Sequence, residues 1–254
     1  MKKLFVLLYG IINYNLGSLA LVYLIAFIFN LFVPFTIDSG EAGNAWLAAG
    51  INLGLIMLFG LQHSIMARPA FKKRLARFLP EAAERSTFML GTAVVTFALC
   101  LLWQPMPEVL WQADNNTLYN SLLAIGLSGW ALVFYATFLI NHFDLFGLRQ
   151  VWLYFIGKEY THLPFRLNSL YRYVRHPIMT GVFIGIWFTP VMTVGHLLLA
   201  LGMSTYIIIG VYHEEKDLVH TFGDRYLRYI RSTGKFFPSL VNSNRIDGPL
   251  STEV

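Results

Sequence analysis

Four uninterrupted apolar stretches, over residues 4–33, 46–66, 86–103 and 121–140, each approach or exceed the roughly 20 residues that an α-helix needs to cross a bilayer. Hydrocarbon offers no water to backbone N–H and C=O groups, so a crossing segment must satisfy them within itself, as a helix does. A fifth apolar stretch, residues 178–212, would be about 50 Å long as one helix at about 1.5 Å per residue, too long for a single crossing. Pro190 and Gly195 interrupt it near its middle. The pattern therefore predicts an all-α fold, a polytopic membrane helical bundle with six transmembrane helices, the last two forming a tight hairpin of two short spans.

Basic residues test that topology, because cytoplasmic loops carry the excess of Lys and Arg. None occurs in residues 34–45, in 104–120 or around Pro190. By contrast, Arg68, Lys72, Lys73, Arg74, Arg77 and Arg85 lie between the second and third stretches, and Arg149, Lys158, Arg166, Arg172 and Arg175 between the fourth and fifth. Lys2, Lys3 and the basic residues after the last span complete the alternation, which requires an even number of crossings. Both termini are thus expected on the cytoplasmic side, in a bacterial inner membrane. The formal charge of +5 is then an orientation signal and a contact for lipid headgroups, and no nucleic-acid partner is expected. Lys2 and Lys3 imitate a signal peptide, but the apolar run behind them is too long for a cleavable one and reads as the first anchor. Cys100, the single cysteine, lies in an apolar run, so no intrachain disulfide can form and a packing role is expected. Residues 1–238 read as one membrane domain and 239–254 as a polar, disordered tail. Residues 141–177 mix aromatics with charges, as an interfacial or re-entrant segment does.

Polar groups within spans are costly and each is a candidate site. Asn13 and Asn15 are expected to bond neighbouring helices, and His196, beside the external turn, to face solvent. Asn141, His142 and Asp144 close the fourth span, where capping competes with function, and His63 lies near the cytoplasmic end of the second. No HExxH pair or cysteine partner accompanies these histidines, so no metal is expected.

Two clusters are more specific. Tyr171, Arg172, Tyr173, Val174, Arg175, His176 and Pro177, with Gly181 one turn on, lead into the fifth span. Pro177 suits a first helical turn, and free N–H groups beside Arg175 and His176 suit an anion, either a lipid phosphate or a cofactor carboxylate. Gly181 removes a side chain where a flat group or another helix approaches. After the sixth span come His213, Glu214 and Glu215. If the helix continues, Glu215, Leu218, Phe222, Tyr226 and Tyr229 share one face, either a solvated surface or a carboxylate beside an aromatic wall. Both clusters fall at one membrane face.

Tyr-Arg-Tyr-Val-Arg-His-Pro at 171–177, Gly181, Glu-Glu at 214–215 and Phe-Gly-Asp-Arg-Tyr at 222–226 resemble the isoprenylcysteine carboxyl methyltransferase superfamily, which includes the NnrU-like proteins. FGLQHSIM at 59–66 and NHFDLFGLRQV at 141–151 extend the resemblance toward its methanethiol S-methyltransferase branch and over most of the chain. The resemblance implies methyl transfer from S-adenosyl-L-methionine to methanethiol, giving dimethyl sulfide, with hydrogen sulfide a lesser substrate. It places the cofactor at Tyr171, Arg172, Arg175, His176, Pro177, Gly181, Glu214, Glu215, Leu218 and Tyr226. A thiol acceptor needs a base, for which His142, Asp144 and His63 are candidates in that order. Two positions depart from the superfamily: Met179 replaces a common Tyr, and Ser169 a common Gly. Competing expectations are a prenylcysteine carboxylate or lipid headgroup as acceptor, and a channel or transporter whose polar spans line a pathway.

Overall fold

A computed structural model describes residues 1–161 and 169–239. Its helices are α1 (Lys2–Ile28), α2 (Ala45–Ala67), α3 (Pro69–Leu75), α4 (Glu84–Leu102), α5 (Asn116–Ile140), α6 (His142–Leu145), α7 (Leu148–Ile156), α8 (Pro177–Trp187), α9 (Val194–Phe222) and α10 (Asp224–Ser232). Among the described residues five helices are long and apolar enough to cross a membrane: α1, α2, α4 with the short turn before it, α5 and α9. The chain is an integral membrane protein. Helix α8, with 11 residues, is about half the length of a crossing helix.

Local chemistry sets the helix ends. Asn44 and Asn115 cap α2 and α5, their side-chain oxygens accepting from Leu47 N at 3.0 Å and Leu118 N at 2.8 Å. Helix α5 thus begins five residues before the apolar stretch read from the sequence. Helix α1 stops at Ile28, short of the expected end at residue 33, because Asn30 and Phe32 turn to φ +56° and +52°. That turn carries the chain into a loop where Asp38 accepts from Asn30 Nδ2 at 2.9 Å and Thr193 Oγ1 at 2.7 Å.

The last apolar stretch differs from expectation in shape. Helix α8 ends at Trp187, and α9 runs 29 residues, so the second half is one long helix and not a short span. Its cause lies in the residues between them. Val191–Thr193 form strand β2, which pairs antiparallel with β1, Val109–Gln112. Two of the three loops free of Lys and Arg thereby meet, and backbone groups that a helix would have satisfied are satisfied across the ribbon. His196, expected in solvent, is 1% exposed: Thr193 Oγ1 accepts from its N–H at 3.1 Å, and its Nε2 lies 2.8 Å from the Ile186 carbonyl. Capping of α9 draws the ring inward. Asn15, expected to bond another helix, donates to Ile11 O of its own helix, while Asn13 is buried.

Packing is tightest between α5 and α8. A Cβ on Gly181 would stand 2.5 Å from the Gly129 carbonyl oxygen, and one on Gly129 would stand 2.6 Å from that of Gly181, so the two backbones touch. Small residues allow such approach where no hydrophobic drive separates helix from lipid. The core of buried residues gathers Phe27, Leu55, Leu99, Trp130, Ile186 and Leu199 from these helices, with Cys100 among them at 2% exposure. Asn52, wholly buried, exchanges two hydrogen bonds with the Gln104 backbone, at 2.8 and 2.9 Å. The expected interfacial segment contains α6 and α7, with the wholly buried Val151 of α7 against Gly10 of α1. The tail expected beyond Ser239 lies outside the described residues.

Candidate functional site

The two charged clusters meet. Arg175 Nε donates to Glu215 Oε1 at 2.7 Å, His176 Nε2 lies 3.2 Å from the same oxygen, and Lys235 Nζ is 2.9 Å from Glu215 Oε2. His176 Nδ1 is 3.7 Å from Glu214 Oε2. Arg175 completes its contacts with the carbonyls of Ile230, at 3.1 Å, and Thr233. Arg175 and His176 have side chains only 7% exposed, against 53% for Glu214. Burial of a guanidinium is tolerable only with such partners.

Three elements hold this arrangement. Pro177 opens α8 at its first position, which sets His176 as the residue before the helix. Helix α9 presents Glu214 and Glu215 near its end and stops at Gly223, whose φ of +56° with ψ −136° is a conformation that favours glycine. The continuous helix considered from the sequence is therefore broken. Helix α10 folds back, and its Tyr226 and Tyr229 are each 3% exposed. The face expected along one helix is built from two. Tyr229 O–H donates to the Tyr171 carbonyl, which anchors the short turn Ser169–Arg172. Beyond α10 the chain lies along the entry to α8: Arg175 N donates to Gly234 O at 2.9 Å, His176 N to Lys235 O at 3.1 Å and Thr180 Oγ1 to Phe236 O at 2.6 Å.

Burial lowers the pKa of His176 below its ordinary 6.5, outweighing the upward pull of the Glu215 carboxylate; Arg175 and Lys235 push it down further. Burial raises the hydroxyls of Tyr171, Tyr226 and Tyr229, and the adjacent carboxylates raise them further, so all three are neutral donors at neutral pH. Folded His176 holds its proton less tightly than an unfolded imidazole, so below pH 6.5 the unfolded chain binds more protons. Its contribution is complete above that pH and is lost as pH falls from there through the folded value. The thermal midpoint is expected to drop on acidification below pH 6.5 and to drop less in His176→Asn; parallel curves for the two proteins would clear His176 of the effect.

The remaining residues named from the sequence divide. Pro177 belongs to the cluster's framework, Arg172 is exposed in the turn before it, and Leu218 is half-buried on α9. Gly181 faces the α5 backbone, so the group approaching it is another helix. Ser169 has φ +46°, in the left-handed region that favours glycine. Lys235, Thr180 and Thr233 went unread. They follow the last helix or look like ordinary span residues, and it is the pairing of residues 234–236 with the entry to α8 that brings that stretch of chain to the site.

The candidate bases have different surroundings. Thr137 Oγ1 donates to Phe134 O at 2.7 Å and so accepts from His142 Nδ1–H at 2.8 Å; Nε2 of His142 then accepts from Tyr14 O–H at 2.8 Å. Phe138 stacks on the ring at 4.2 Å. Both nitrogens of His142 are thus engaged, and burial lowers its pKa. Asp144 is paired with Arg149 at 2.8 Å and accepts from Tyr160 O–H at 3.1 Å. The one hydrogen bond of His63 among the described residues is long, 3.4 Å between Nδ1 and Thr92 Oγ1.

No family model matches the chain, and no solved structure matches it. Curated proteins do. A protein named methanethiol S-methyltransferase from Crocosphaera subtropica is 43% identical over 94% of this chain and 93% of its own length. One of the same name from Mycobacterium tuberculosis is 42% identical over 94% of this chain and 98% of its own. Nurim from Xenopus laevis is 30% identical over 72% of this chain and 64% of its own. With near-complete coverage on both sides at such identity, and with its two charged motifs joined at one end of a helical membrane bundle, the chain belongs to the methanethiol S-methyltransferase family.

Proposed function

We propose that this protein transfers the methyl group of S-adenosylmethionine to methanethiol, releasing dimethyl sulfide, with hydrogen sulfide a lesser acceptor. The observation that carries this reading is full-length similarity to relatives bearing that name. Bound S-adenosylmethionine supplies a methyl group activated by a sulfonium charge. The residues suit such a donor. Arg175 and Lys235 both pair with Glu215 and occupy its two oxygens, which leaves Glu214, half-exposed beside the buried network, as the carboxylate for an ammonium group or ribose hydroxyls. Arg172 serves its carboxylate end, His176 holds the paired carboxylates of Glu214 and Glu215 in place, Tyr171, Leu218 and Tyr226 form apolar and hydrogen-bonding walls, and Pro177 and Gly181 set the position of α8. Most of the acceleration is expected from holding donor and thiol in line in a water-poor site.

The topology proposed with this function has six crossings. Helix α8 and the extended residues 188–193 complete the fifth crossing and form a hairpin with α9, placing both termini and the site on the cytoplasmic side of an inner membrane. The basic loops support this orientation. Residues 1–238 form one domain.

Purified protein given S-adenosylmethionine and methanethiol is expected to release dimethyl sulfide into the headspace. Methylation of prenylcysteine or lipid headgroups with no volatile product would replace the thiol with another acceptor. Solute flux independent of the donor would make the protein a channel or transporter.

A further inference from the structure

The seam between α2 and α9 is closed at two points and open between them. Toward the bundle centre, Tyr206 packs on Gly60, where an added Cβ would stand 3.0 Å from its ring, and Gly202 packs on Ile56. Toward the charged end, Arg68 and Asp217 form an ion pair at 3.2 Å. Tyr206, Gly210 and Glu214 follow at intervals of four on one face of α9. At Gly210, a Cβ would meet no described atom within 4 Å. The facing residue follows from the parallel run of the two helices, in which Ile56, Gly60 and Arg68 meet Gly202, Tyr206 and Asp217 in that order: three residues beyond Gly60, about 4.5 Å along the axis, stands His63. Its ring lies 6.3 Å from that of Tyr206, 5.5 Å from Phe59 and 4.7 Å from Phe88. Its Nε2 has no hydrogen-bond partner among the described residues, unlike either nitrogen of His142. Glu214 lies one further turn of α9 beyond Gly210, about 6 Å. Of the three candidate bases, His63 is the one joined to the charged cluster by a continuous helix face, through Tyr206.

We infer that the gap at Gly210 is the seat of the acceptor thiol and that His63 is the base that deprotonates it. This rests on the methyl-transfer reading. A molecule of two heavy atoms, with an apolar methyl and one weak donor, suits the opening left at Gly210, on the helix face that carries Tyr206, whose ring borders His63. Glycine at 210 keeps the space open, and any branched side chain there would fill it. In the reaction the S–H bond breaks and its proton passes to His63 Nε2. The sulfur lone pair forms the new S–CH3 bond as the donor's S–CH3 bond breaks, its electron pair remaining on the donor sulfur. The imidazolium then returns its proton to solvent.

The test uses the whole protein with its histidines labelled with nitrogen-15. Methanethiol added without donor is expected to shift one imidazole resonance, the one missing in His63→Gln, and Gly210→Leu is expected to abolish that shift. Gly210→Leu should raise the KM for methanethiol about 10-fold or more. His63→Gln should lower kcat about 100-fold or more. Both variants should bind S-adenosylmethionine within about threefold of wild type by calorimetry, tenfold being about 1.4 kcal/mol. If Gly210→Leu does not fold, Gly210→Val is measured in its place, with the same expected direction. A thiol-induced shift at His142, or a wild-type KM in the position 210 variant, would overturn the inference. Failure of wild type to make dimethyl sulfide while the His63 shift persists would instead remove the assigned reaction and keep the pocket.

Discussion

Glu215→Gln is expected to lower the thermal midpoint of the detergent-solubilised protein by about 10 °C, whereas Glu214→Gln shifts it by no more than a degree or two. The two carboxylates are neighbours in sequence but not in environment. Glu215 accepts from Arg175, His176 and Lys235, and its side chain is 12% exposed. Neutralising it strands Arg175, whose remaining partners are backbone carbonyls, and breaking a buried pair in this way costs about 3 kcal/mol or more. At roughly 2–4 °C per kcal/mol for a chain of this size, the drop is readily measured. Among the described residues Glu214 has one ionic contact, 3.7 Å from His176, and it is half-exposed, so its removal leaves no buried charge alone. Binding is expected to reverse the order of interpretation. Donor affinity falls in Glu214→Gln with the fold intact, and falls in Glu215→Gln because the site has come apart. Equal midpoints for the two variants would show that the network around Glu215 does not hold the site together.

Gly181→Ala should destabilise the bundle by about 3 kcal/mol, the upper range for forcing a methyl group into a packed core. The added carbon would lie 2.5 Å from a backbone oxygen of α5, which cannot swing aside as a side-chain tip can. Activity should fall with it, since α8 carries His176 into the charged cluster. The same substitution at Gly54, where an added Cβ meets no described atom, is expected to gain about 0.5–1 kcal/mol from helix propensity. Chemical denaturation of both variants checks the sign. A stable Gly181→Ala protein would mean that α5 and α8 are not pressed backbone to backbone.

Much of this architecture is written locally. The spans are apolar runs of sufficient length, and α2 and α4 begin or end within two residues of the limits read from hydropathy. Misplaced ends have local causes of a different kind: a left-handed turn at Asn30 shortens α1, and an Asn115 cap lengthens α5. Hydropathy does not register either, because both are hydrogen-bonding and dihedral effects. The ribbon of β1 with β2 and the burial of His196 were illegible for another reason. Each depends on a partner some 80 residues away or on a carbonyl across a turn.

For the site, residue type pointed to Arg175, His176, Glu214 and Glu215, since charges beside a span are costly unless they are used. Nearness to the expected cofactor face put His142 first among the candidate bases. That both its nitrogens are engaged was not legible there, since Tyr14 lies 128 residues away in the chain.

The amino-acid sequence by itself determined which segments are apolar enough to lie in lipid, the segregation of its basic residues into alternate loops, and the kinds of charged group available. These follow from transfer free energies that each residue carries with it wherever it sits. Tertiary structure alone decided that Glu215 is consumed in ion pairs while Glu214 stays open, that Lys235 joins them, and that Gly181 meets a helix. Each of these is a distance between groups remote along the chain, and Coulomb and packing energies depend on that distance and on the water excluded around it.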